Sequence, residues 1–587
     1  MVFSIGIDIG TENSAAAVTG VNNHKLTQIM LPAIEGPSIY GKSFPSYVMI
    51  DSEYNIYIGK RAKDLKLLYP DSVFSHFKRK MGTDYLYKAY DKYYTPQELT
   101  ALLLKKIGSD AELYMNDKIK DAVITVPAYF NDNQRNATKT AAEIAGIKVK
   151  RLINEPTAAA IAFGFEKLLN NENYSNKSIL VYDMGAGTVD VTIININKRV
   201  FNVLSTSGDT NIGGIDMDTA IKLHITEFLK NNNISVKNND EYDSYIDSIS
   251  ENIKIRLSTY DSYEVYLNDL LGKFYRFSNK IIYRITRNDF EHLIKDTVDK
   301  TIKAINIALE RASLTKKDID ELILTGGPTR IPYVRKAIEN YLSLKSMNGI
   351  DPMEIVARGA SIIAADKTSI SEIISGPIKF NDVTPLTLGN VIINDVVVPM
   401  IPANTKVPCN VTRPFTTIKD YQKEIEIKIV QGERPMGSDN SLLGNFILQN
   451  IKPAPRGKAR IDVTYKVDKN GILQVSAVDS ITGSKKEIII KNSINIDKDK
   501  IKKIKDDLKK YSIVDNEKKK MALIMNSADD LLYRLKELAN SQYNSDVKYY
   551  NINTDILNLA KNIKENNINN LLFIFIIVTS TVPAPIS

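Results

Sequence analysis

The feature that most constrains the fold is a pattern of strand, acidic glycine turn and strand that occurs twice. Residues 5–18 read IGIDIGTENSAAAV, and residues 180–193 read LVYDMGAGTVDVTI. In both copies an apolar run ends in Asp-x-Gly, so that Asp8 corresponds to Asp183. A duplicated hairpin of this kind predicts two similar lobes, each of which presents one acidic turn to a shared cleft.

The chemistry of the two turns suits a phosphate and a metal ion. Glycine lets backbone N–H groups approach phosphate oxygens closely. An aspartate would repel a phosphate, so an acid in each turn implies a cation, and Asp8 and Asp183 are expected to hold Mg²⁺ through its waters. A single turn of this kind is more simply an ordinary hairpin whose Asp caps its own backbone, but the matched pair favours the phosphate site. The other candidate residues of the turns are Gly10, Thr11, Gly185, Ala186, Gly187 and Thr188, with the two threonine hydroxyls available to a phosphate or an attacking water.

Two further glycine pairs fit a nucleotide site but are weak signals alone. The sequence TGGPTRIP at 325–332 follows an apolar strand, and GDTNIGGIDMD occupies 208–218. Strand, Gly-Gly and helix is a nucleotide-cradling pattern and also a common tight connection. The candidate residues here are Gly213, Gly214, Gly326 and Gly327.

Composition excludes several classes of protein. The 587 residues predict three or four domains, and the net charge of +8 is spread over both signs, as in the interleaved acids and lysines of 496–510. This favours a solvated helix face and no nucleic-acid partner. The single cysteine, Cys409, excludes a disulfide framework and predicts a reducing, cytoplasmic location. The chain begins directly with a strand, and its apolar run at 571–578 is far shorter than the ~20 residues of a membrane helix, so no transmembrane segment is expected. That run is interpreted as the end of a core-facing helix, with a weak membrane or partner contact as the alternative.

The pattern of apolar residues changes at two points along the chain. Up to about residue 375 short apolar runs alternate with helical patterns, among them a helix over 131–147 and a strand that leads into a helix over 149–165. After about residue 383 the apolar residues alternate with period two around a DKNG turn, which predicts an antiparallel β domain. From about residue 495 glycine and proline nearly vanish, and helical periodicity follows.

A set of motifs in fixed order resembles the seventy-kilodalton heat-shock chaperone family, the DnaK-like proteins. These motifs include IGIDIGTENS, VITVPAYFNDNQRNATKTAAEIAG, RLINEPTAAAIAFG, YDMGAGTVDV, LTGGPTRIP, NDVTPLTLG and NIKPAPRG. The sequences FKRKMGTDYLYKAYDKYYTPQELTALLLKKI and DPMEIVARGA are most similar to the bacterial HscC branch. The resemblance implies an α/β, actin-like, two-lobed ATPase domain at 1–375, a linker at 376–382, a β-sandwich peptide-binding domain at 383–494, and an α-helical lid and tail at 495–587.

The resemblance also implies roles for single residues. Lys78 would position the attacking water and steady charge on the terminal phosphate of ATP, while Glu155 and Asp190 would complete the water network. The base pocket would be formed by Glu251, Lys254, Ser258, Gly326, Gly327 and Arg330. The groove for an apolar peptide would be lined by Val397, Ile401, Phe415, Ile418, Ile425, Ile427 and Ile461. Interdomain relay and J-domain contact would fall to Pro127, Arg135, Arg151, Asn154 and Asp382.

Several positions depart from the family pattern. Glu12 adds a negative charge to the first turn, and Ala186 replaces a glycine. The positions Ile255, Pro328 and Met353 differ on the base side of the site, where Ile255 replaces an arginine. In the linker, Lys379 and Asn381 replace apolar residues that dock on the ATPase domain. These departures weaken the expectation of tight nucleotide binding and of strong coupling between domains.

The resulting function hypothesis is an ATP-dependent chaperone and ATP hydrolase that uses ATP/ADP and Mg²⁺. Its partners would be unfolded or extended polypeptides, a J-domain co-chaperone and a nucleotide exchange factor. The first alternative is a peptide-binding or nucleotide-sensing relative with slow ATPase and poor coupling. The second is an actin-like filament protein or a sugar kinase. Neither of these needs the β domain that follows residue 383.

Overall fold

The structure is a computed structural model that describes residues 2–22, 25–34, 42–169, 175–234, 240–267, 281–347, 351–365 and 376–489. The predicted helical lid at 495–587, including the apolar run at 571–578, lies outside the described residues. The described residues up to 489, apart from Ile34, belong to one compact unit. Within the described part of the chain, no helix is both long enough and apolar enough to cross a membrane.

The first lobe is built on a six-stranded mixed sheet. Its strand order is β11-β10-β1-β2-β3, with β4 paired to β2, and β1 runs parallel to β10 but antiparallel to β2. The strands are β1 (Val2–Asp8), β2 (Asn13–Asn22), β3 (Lys25–Met30), β4 (Ser43–Pro45), β5 (Val48–Ile50), β6 (Ile56–Ile58), β7 (Val73–Phe74), β8 (Tyr87–Ala89), β9 (Lys92–Tyr94), β10 (Lys118–Val126) and β11 (Val149–Asn154). The helices are α1 (Lys60–Leu65), α2 (Pro96–Met115), α3 (Asp132–Ile144) and α4 (Glu155–Leu169).

The helix predicted over 131–147 is confirmed, and its start follows from local chemistry. Asn131 is the N-cap: its side chain accepts a hydrogen bond from the Gln134 backbone N–H, and the Gln134 side chain accepts one from the Asn131 N–H. This reciprocal capping satisfies two backbone donors that the first turn would otherwise leave free. Gly146, with a φ of 81°, follows the end of the helix.

The second lobe repeats the strand pattern of the first. The order β17-β12-β13-β14 has the same sequence of parallel and antiparallel pairings as β10-β1-β2-β3. The duplication predicted from the two acidic turns is therefore present in the sheets. The strands are β12 (Lys177–Met184), β13 (Val189–Asn197), β14 (Val200–Asp209), β15 (Ser262–Tyr266), β16 (Ile282–Thr286) and β17 (Glu321–Thr325). The helices are α5 (Gly214–Asn231), α6 (Asp240–Leu257), α7 (Arg287–Arg311), α8 (Pro332–Leu342) and α9 (Ile355–Ala364).

The carboxy-terminal described part is all β, as its period-two pattern predicts. Two four-stranded antiparallel sheets, β20-β19-β23-β24 and β22-β25-β26-β27, enclose one apolar core, and the DKNG turn joins β25 to β26. Along β25 and β26 buried residues alternate with more exposed ones. The strands are β18 (Lys379–Val383), β19 (Leu388–Val391), β20 (Val397–Ile401), β21 (Lys406–Val407), β22 (Cys409–Phe415), β23 (Ile425–Gln431), β24 (Ser441–Leu448), β25 (Ile461–Val467), β26 (Leu473–Asp479) and β27 (Lys485–Ile489).

Short 3₁₀ turns complete the described structure, and two of them border the candidate site. They are Pro70–Ser72, Phe77–Lys80, Lys316–Asp318, Gly327–Arg330, Ile393–Asp395 and Gly437–Asp439. The two that border the candidate site are Phe77–Lys80, which contains Lys78, and Gly327–Arg330, which follows strand β17.

Candidate functional site

The two acidic turns face one cleft with a volume of about 400 Å³. Strand β1 ends at Asp8 and strand β12 ends one residue after Asp183, so both aspartates stand where a strand enters its turn. Among the catalytic and nucleotide-binding candidates, the cleft is lined by Asp8, Gly10, Thr11, Lys78, Glu155, Asp183, Gly185, Ala186, Thr188, Glu251, Lys254, Ser258, Gly326, Gly327 and Arg330.

Four candidates are not among the residues that line the cleft: Asp190, Gly187, Gly213 and Gly214. The Gly213–Gly214 pair supports the second turn, since the Gly214 N–H donates to the Gly185 carbonyl at 3.0 Å. A Cβ at Gly213 would come within 2.5 Å of the Ala186 carbonyl oxygen. These glycines therefore allow the close approach of two backbone segments.

Ala186 fits the second turn without strain. It is not among the described residues that have a positive φ, so the turn does not require a glycine at this position.

A cluster of buried carboxylates occupies the floor of the cleft. The side chains of Glu155 and Asp183 are buried and that of Asp8 is half-buried, while Asp190 lies buried behind the lining of the cleft. The buried ammonium of Lys78 interacts with these carboxyl groups. Burial, followed by repulsion from Glu155, Asp190 and Asp8, holds the pKa of Asp183 well above its usual range. Burial raises the pKa of Glu155 to about 8 and that of Asp190 to about 7. Ionisation of all these carboxyl groups together is therefore unfavourable unless a further positive charge is present.

This crowding of carboxyl groups fits a divalent cation. Four carboxylates face one ammonium, and a cation would relieve the repulsion that raises the pKa of Asp183. No group of three or more His, Cys, Asp or Glu side chains arranged as a direct metal site is found in the part of the chain that the structure describes. The carboxylate oxygens of Asp8 and Asp183 are of the kind that suits Mg²⁺, which usually keeps several of its waters.

Lys78 is fixed by an ion pair with Glu155. Its Nζ donates to Glu155 Oε1 at 2.7 Å, and both side chains are less than 10% exposed. Burial would lower the pKa of Lys78, but the charges of Glu155 and Asp8 raise it above its usual value. The ammonium is therefore charged and held in one place at the floor of the cleft.

Sequence reasoning missed Thr125, which orients the first aspartate. Its Oγ1 donates a hydrogen bond to Asp8 Oδ1 at 2.8 Å. Strand β10 pairs in parallel with β1, which brings these two residues together. The apolar run of β10 predicts a buried strand, but only the pairing partner reveals that its threonine faces Asp8.

On the second-lobe side of the cleft, Lys254 is held by a residue that the sequence did not single out. Lys254 Nζ donates to Asp218 Oδ2 at 2.6 Å, and burial raises the pKa of Asp218 to about 6. The neighbouring Ile255 is 56% exposed and lines the cleft, as do Pro328 and Met353. These three residues make this side of the cleft partly apolar.

Glu12 does not add an unbalanced charge to the first turn. It accepts hydrogen bonds from Tyr47 and Lys63, and it pairs with His76. Burial opposes ionisation, but His76 and Lys63 hold the pKa of Glu12 well below its usual range. The negative charge that Glu12 adds to the first turn is therefore paired within the protein. Sequence spacing gave no signal for these distant partners.

Four of the five relay candidates lie close together between the two α/β lobes and strand β18. Arg135 Nη2 donates to Asn154 Oδ1 at 2.6 Å, and Asn154 Nδ2 donates to Asp382 Oδ2 at 2.8 Å. Arg151 stacks on the ring of Phe380 with its Cζ 3.8 Å from the ring centroid. The fifth candidate, Pro127, begins the loop whose later carbonyls, Ala128 and Phe130, accept hydrogen bonds from Arg135.

Residues 379–382 of the predicted linker form most of strand β18, which pairs in parallel with β14. Lys379 and Asn381 are exposed, whereas Phe380 is half-buried and Asp382 is buried. The expectation that Lys379 and Asn381 would be buried on docking is therefore wrong. A strand presents alternate side chains to opposite faces, and these two residues lie on the solvent face.

The seven candidate peptide-groove residues are distributed between core and surface. Ile401, Ile427 and Ile461 are at most 1% exposed and belong to the core between the two sheets. Val397, Phe415 and Ile425 are half-buried, and Ile418 is 44% exposed. In this conformation only the last four present surface to a ligand.

Comparison with known proteins assigns the family. Residues 4–93 and 86–572 match the family described as Hsp70 protein. The chaperone protein DnaK of Picrophilus torridus is 45% identical over 540 residues, which cover 91% of this chain and 85% of that relative. DnaK of Thermoplasma volcanium is 44% identical over 574 residues, covering 97% and 91%, and DnaK of Endomicrobium trichonymphae is 41% identical over 542 residues, covering 91% and 84%. Since these matches span nearly the whole chain, it belongs to the Hsp70 family.

Proposed function

We propose that the chain is an ATP-hydrolysing chaperone that binds extended apolar segments of unfolded proteins, releases them on ATP binding and captures them on hydrolysis. Membership of the Hsp70 family over nearly the full length supports this function, as do relatives named as chaperones. The resemblance to the HscC branch stays a prediction, because the relatives compared above carry the name DnaK.

The observation that carries the proposal is the cleft itself. Two matched hairpins from two similarly built sheets bring Asp8 and Asp183 to one cavity, with the Lys78–Glu155 ion pair at its floor. A peptide-binding module without ATPase activity would have no use for four buried carboxylates, which repel one another. The arrangement suits a bound metal–nucleotide complex.

Each residue of the cleft would have a defined task. Bound Mg²⁺ would supply charge neutralisation at the phosphates. Asp8 and Asp183 would hold the waters of that ion, and Thr125 keeps Asp8 oriented through its 2.8 Å hydrogen bond. Lys78 would fix the attacking water and stabilise negative charge, since its ammonium is held in place by Glu155.

The remaining candidates would complete the water network and the base pocket. Asp190 and Glu155 would orient the attacking water through their carboxylates. Thr11 and Thr188 would donate hydroxyl hydrogen bonds to phosphate oxygens. Catalysis of this type depends on position and charge, so it needs no covalent nucleophile. The base pocket would be formed by Glu251, Lys254, Ser258, Gly326, Gly327 and Arg330.

A chain of hydrogen bonds offers a physical route from the cleft to the linker. Asp190 Oδ1 accepts from the Tyr129 backbone N–H at 3.2 Å, and the loop around Tyr129 accepts from Arg135. Arg135 then contacts Asn154, which contacts Asp382 of the linker strand. We propose that nucleotide state is transmitted along this chain and that a J-domain co-chaperone acts near Arg151.

The β domain would bind the peptide, with Phe415, Ile418, Ile425 and Val397 as the residues already accessible to it. Ile401, Ile427 and Ile461 would take part only if the two sheets separate. The proposed cycle also includes a helical lid over the peptide and a nucleotide exchange factor. We propose that it operates in the cytoplasm. The alternative with poor coupling loses part of its support, because Lys379 and Asn381 are exposed and Glu12 is paired, whereas the departures at Ile255 and Pro328 remain.

The test is ATP turnover and peptide release in the same preparation. We expect ATP with Mg²⁺ to accelerate the release of a fluorescent apolar peptide, and we expect peptide with a J-domain protein to accelerate hydrolysis. Nucleotide without Mg²⁺ serves as the control. A chain that binds peptide but neither hydrolyses ATP nor responds to it would refute the proposal.

A further inference from the structure

Asn390, in strand β19 of the β domain, is a buried polar residue with an unpaired atom. The residue is 3% exposed. Its Oδ1 has no hydrogen-bond partner among the described residues, and its Nδ2 reaches the Val391 carbonyl at 3.4 Å, near the limit of a hydrogen bond. A buried carbonyl oxygen without a partner costs stability, and folded proteins seldom keep such a group without a use for it.

The neighbours of Asn390 on its face of the sheet are apolar. Residues two apart in a strand share a face, so Asn390 faces the same way as Leu388, which belongs to the core between the two sheets. On the neighbouring strand β23 its direct partner is Ile429, which is fully buried. Two residues along β23 from Ile429, on the same face, lies Ile427, a candidate of the peptide groove. Asn390 therefore places one amide group in the apolar wall of the proposed peptide site.

The buried hydroxyl of Tyr465 shows how the same core satisfies another polar group. Its Oη donates to the carbonyl of Gly389, the residue next to Asn390, at 3.0 Å. A tyrosine hydroxyl has one proton to donate, so this donor is already committed. A buried water would need about two to four polar partners, and the neighbours that share the face of Asn390 are apolar. The carbonyl of Asn390 is thus suited to a donor that a ligand brings.

The position of this acceptor favours a donor on a peptide side chain. When a peptide adds to a sheet as a strand, its backbone pairs with the domain and its alternate side chains enter pockets, so a side chain is the part that reaches an inward-facing residue. A lysine or arginine side chain would bring an uncompensated charge into an apolar wall, which is unfavourable. Threonine suits both parts of the site, because its hydroxyl donates to a carbonyl and its methyl group packs against isoleucine.

We propose that Asn390 is a specificity-determining residue of the peptide site, and that it selects extended segments in which a threonine stands among apolar residues. The threonine hydroxyl donates to Asn390 Oδ1 when the two sheets separate around the peptide. This inference rests on the proposed peptide-binding function and adds the class of segment that the site prefers.

The first test compares threonine with valine in the natural chain. The two side chains have nearly the same shape and differ in the hydroxyl. Fluorescent host peptides carry one or the other at the centre, with alanine at the neighbouring positions so that no second large side chain competes for the pocket. With ADP and Mg²⁺ present, we expect the threonine peptide to bind at least as tightly as the valine peptide, although an unpaired buried hydroxyl would weaken binding about tenfold. Severalfold tighter binding of the valine peptide would overturn the proposal.

The second test removes the acceptor. Asn390→Leu should bind the valine peptide about tenfold more tightly than the threonine peptide, because the hydroxyl then lacks its partner. The matched control is Asn410→Leu, at an exposed position of strand β22, which should keep the ratio of affinities of the natural chain. The natural ratio in Asn390→Leu would mean that Asn390 does not contact the peptide side chain.

A stability measurement and a second variant separate this role from a purely structural one. We expect Asn390→Leu to raise the denaturant midpoint of the free protein, because it removes an unpaired polar group from the core. Asn390→Val, with a smaller side chain that suits a strand, should shift the ratio of affinities in the same direction as Asn390→Leu. A higher midpoint with the natural ratio in both variants would make Asn390 a structural residue only. A natural chain that binds neither peptide would instead overturn the proposed chaperone function.

Discussion

Asp183 illustrates how function and stability oppose each other at a single residue. Burial and the neighbouring carboxylates Glu155, Asp190 and Asp8 hold its pKa well above the usual range. A carboxyl group under such repulsion costs stability in the free protein, and functional sites are where such costs are found. We therefore expect a bound cation to relieve this repulsion.

The variant Asp183→Asn separates these two effects. We expect it to abolish Mg²⁺-dependent single-turnover ATP hydrolysis, because the amide carries no charge for the hydrated ion. We also expect it to raise the free energy of unfolding of the protein without Mg²⁺ or nucleotide by about 0.5–2 kcal/mol, because it relieves the repulsion.

Denaturant unfolding and rapid-quench hydrolysis would check both parts of this prediction. Asp8→Asn should abolish hydrolysis in the same way, and Asp91→Asn on an exposed turn is the control that should change neither quantity. Unchanged hydrolysis in both Asp8→Asn and Asp183→Asn would remove the metal assignment.

At the scale of single elements, the linker strand β18 shows why residue type alone misleads. Lys379 and Asn381 replace apolar residues, which suggested poor docking. In the strand they alternate with Phe380 and Asp382, so the inward positions keep an aromatic ring and the relay carboxylate. Asn381 even donates to Asn202 on the neighbouring strand at 2.7 Å.

We therefore predict that Phe380 supplies most of the contact that holds strand β18 against the lobes. Phe380→Ala should lower the free energy that couples ATP binding to peptide release by about 1–3 kcal/mol. The variant loses the buried surface of the ring and its stack with Arg151. The double variant Lys379→Leu, Asn381→Leu should leave release nearly unchanged, because both side chains face solvent. Stopped-flow peptide release would measure both, and a large gain in the double variant would show that these positions do limit docking.

Local signals in the sequence predict elements well and their partners poorly. The Asn131 cap, the DKNG turn and the duplicated hairpins each depend on neighbouring residues, and all are confirmed. The ion pair of Lys63 with Glu251 and the stack of Arg151 on Phe380 join residues that are far apart in the sequence. No periodicity encodes such contacts, because they depend on how the sheets and lobes pack.

At the scale of the whole molecule, the ATPase lobes and the β domain meet around the start of helix α3. The Asp132 backbone N–H donates to Gln431 Oε1 at 3.2 Å, and the Leu473 N–H donates to Asp132 Oδ1 at 2.7 Å. The Asp132 side chain is buried in this contact. A carboxyl group that becomes buried when domains dock makes the docking equilibrium depend on pH.

The sign of this dependence follows from the pKa. Burial raises the pKa of Asp132 to about 8, while Arg135 opposes and Asp468 adds to the shift. In the separated state the group faces water, with an ordinary pKa near 3.9. The docked state therefore binds an extra proton between about pH 4 and pH 8, so docking weakens as pH rises through that range. Burial also raises the pKa of Asp382, which acts in the same direction.

We therefore expect docking in the presence of ATP to weaken by up to about tenfold per pH unit between pH 6.5 and 7.5, the limit for one proton. Asp132→Asn should remove much of this dependence, because the amide oxygen still accepts from Leu473 but does not titrate. Docking would be measured by energy transfer between dyes on two introduced cysteines, Lys88→Cys in the first lobe and Lys466→Cys in the β domain, in a Cys409→Ser background. The measurement would be made with and without Asp132→Asn. The same pH slope in Asp132→Asn as in its parent would mean that Asp132 is ionised in the docked state and that other groups set the balance between the domains.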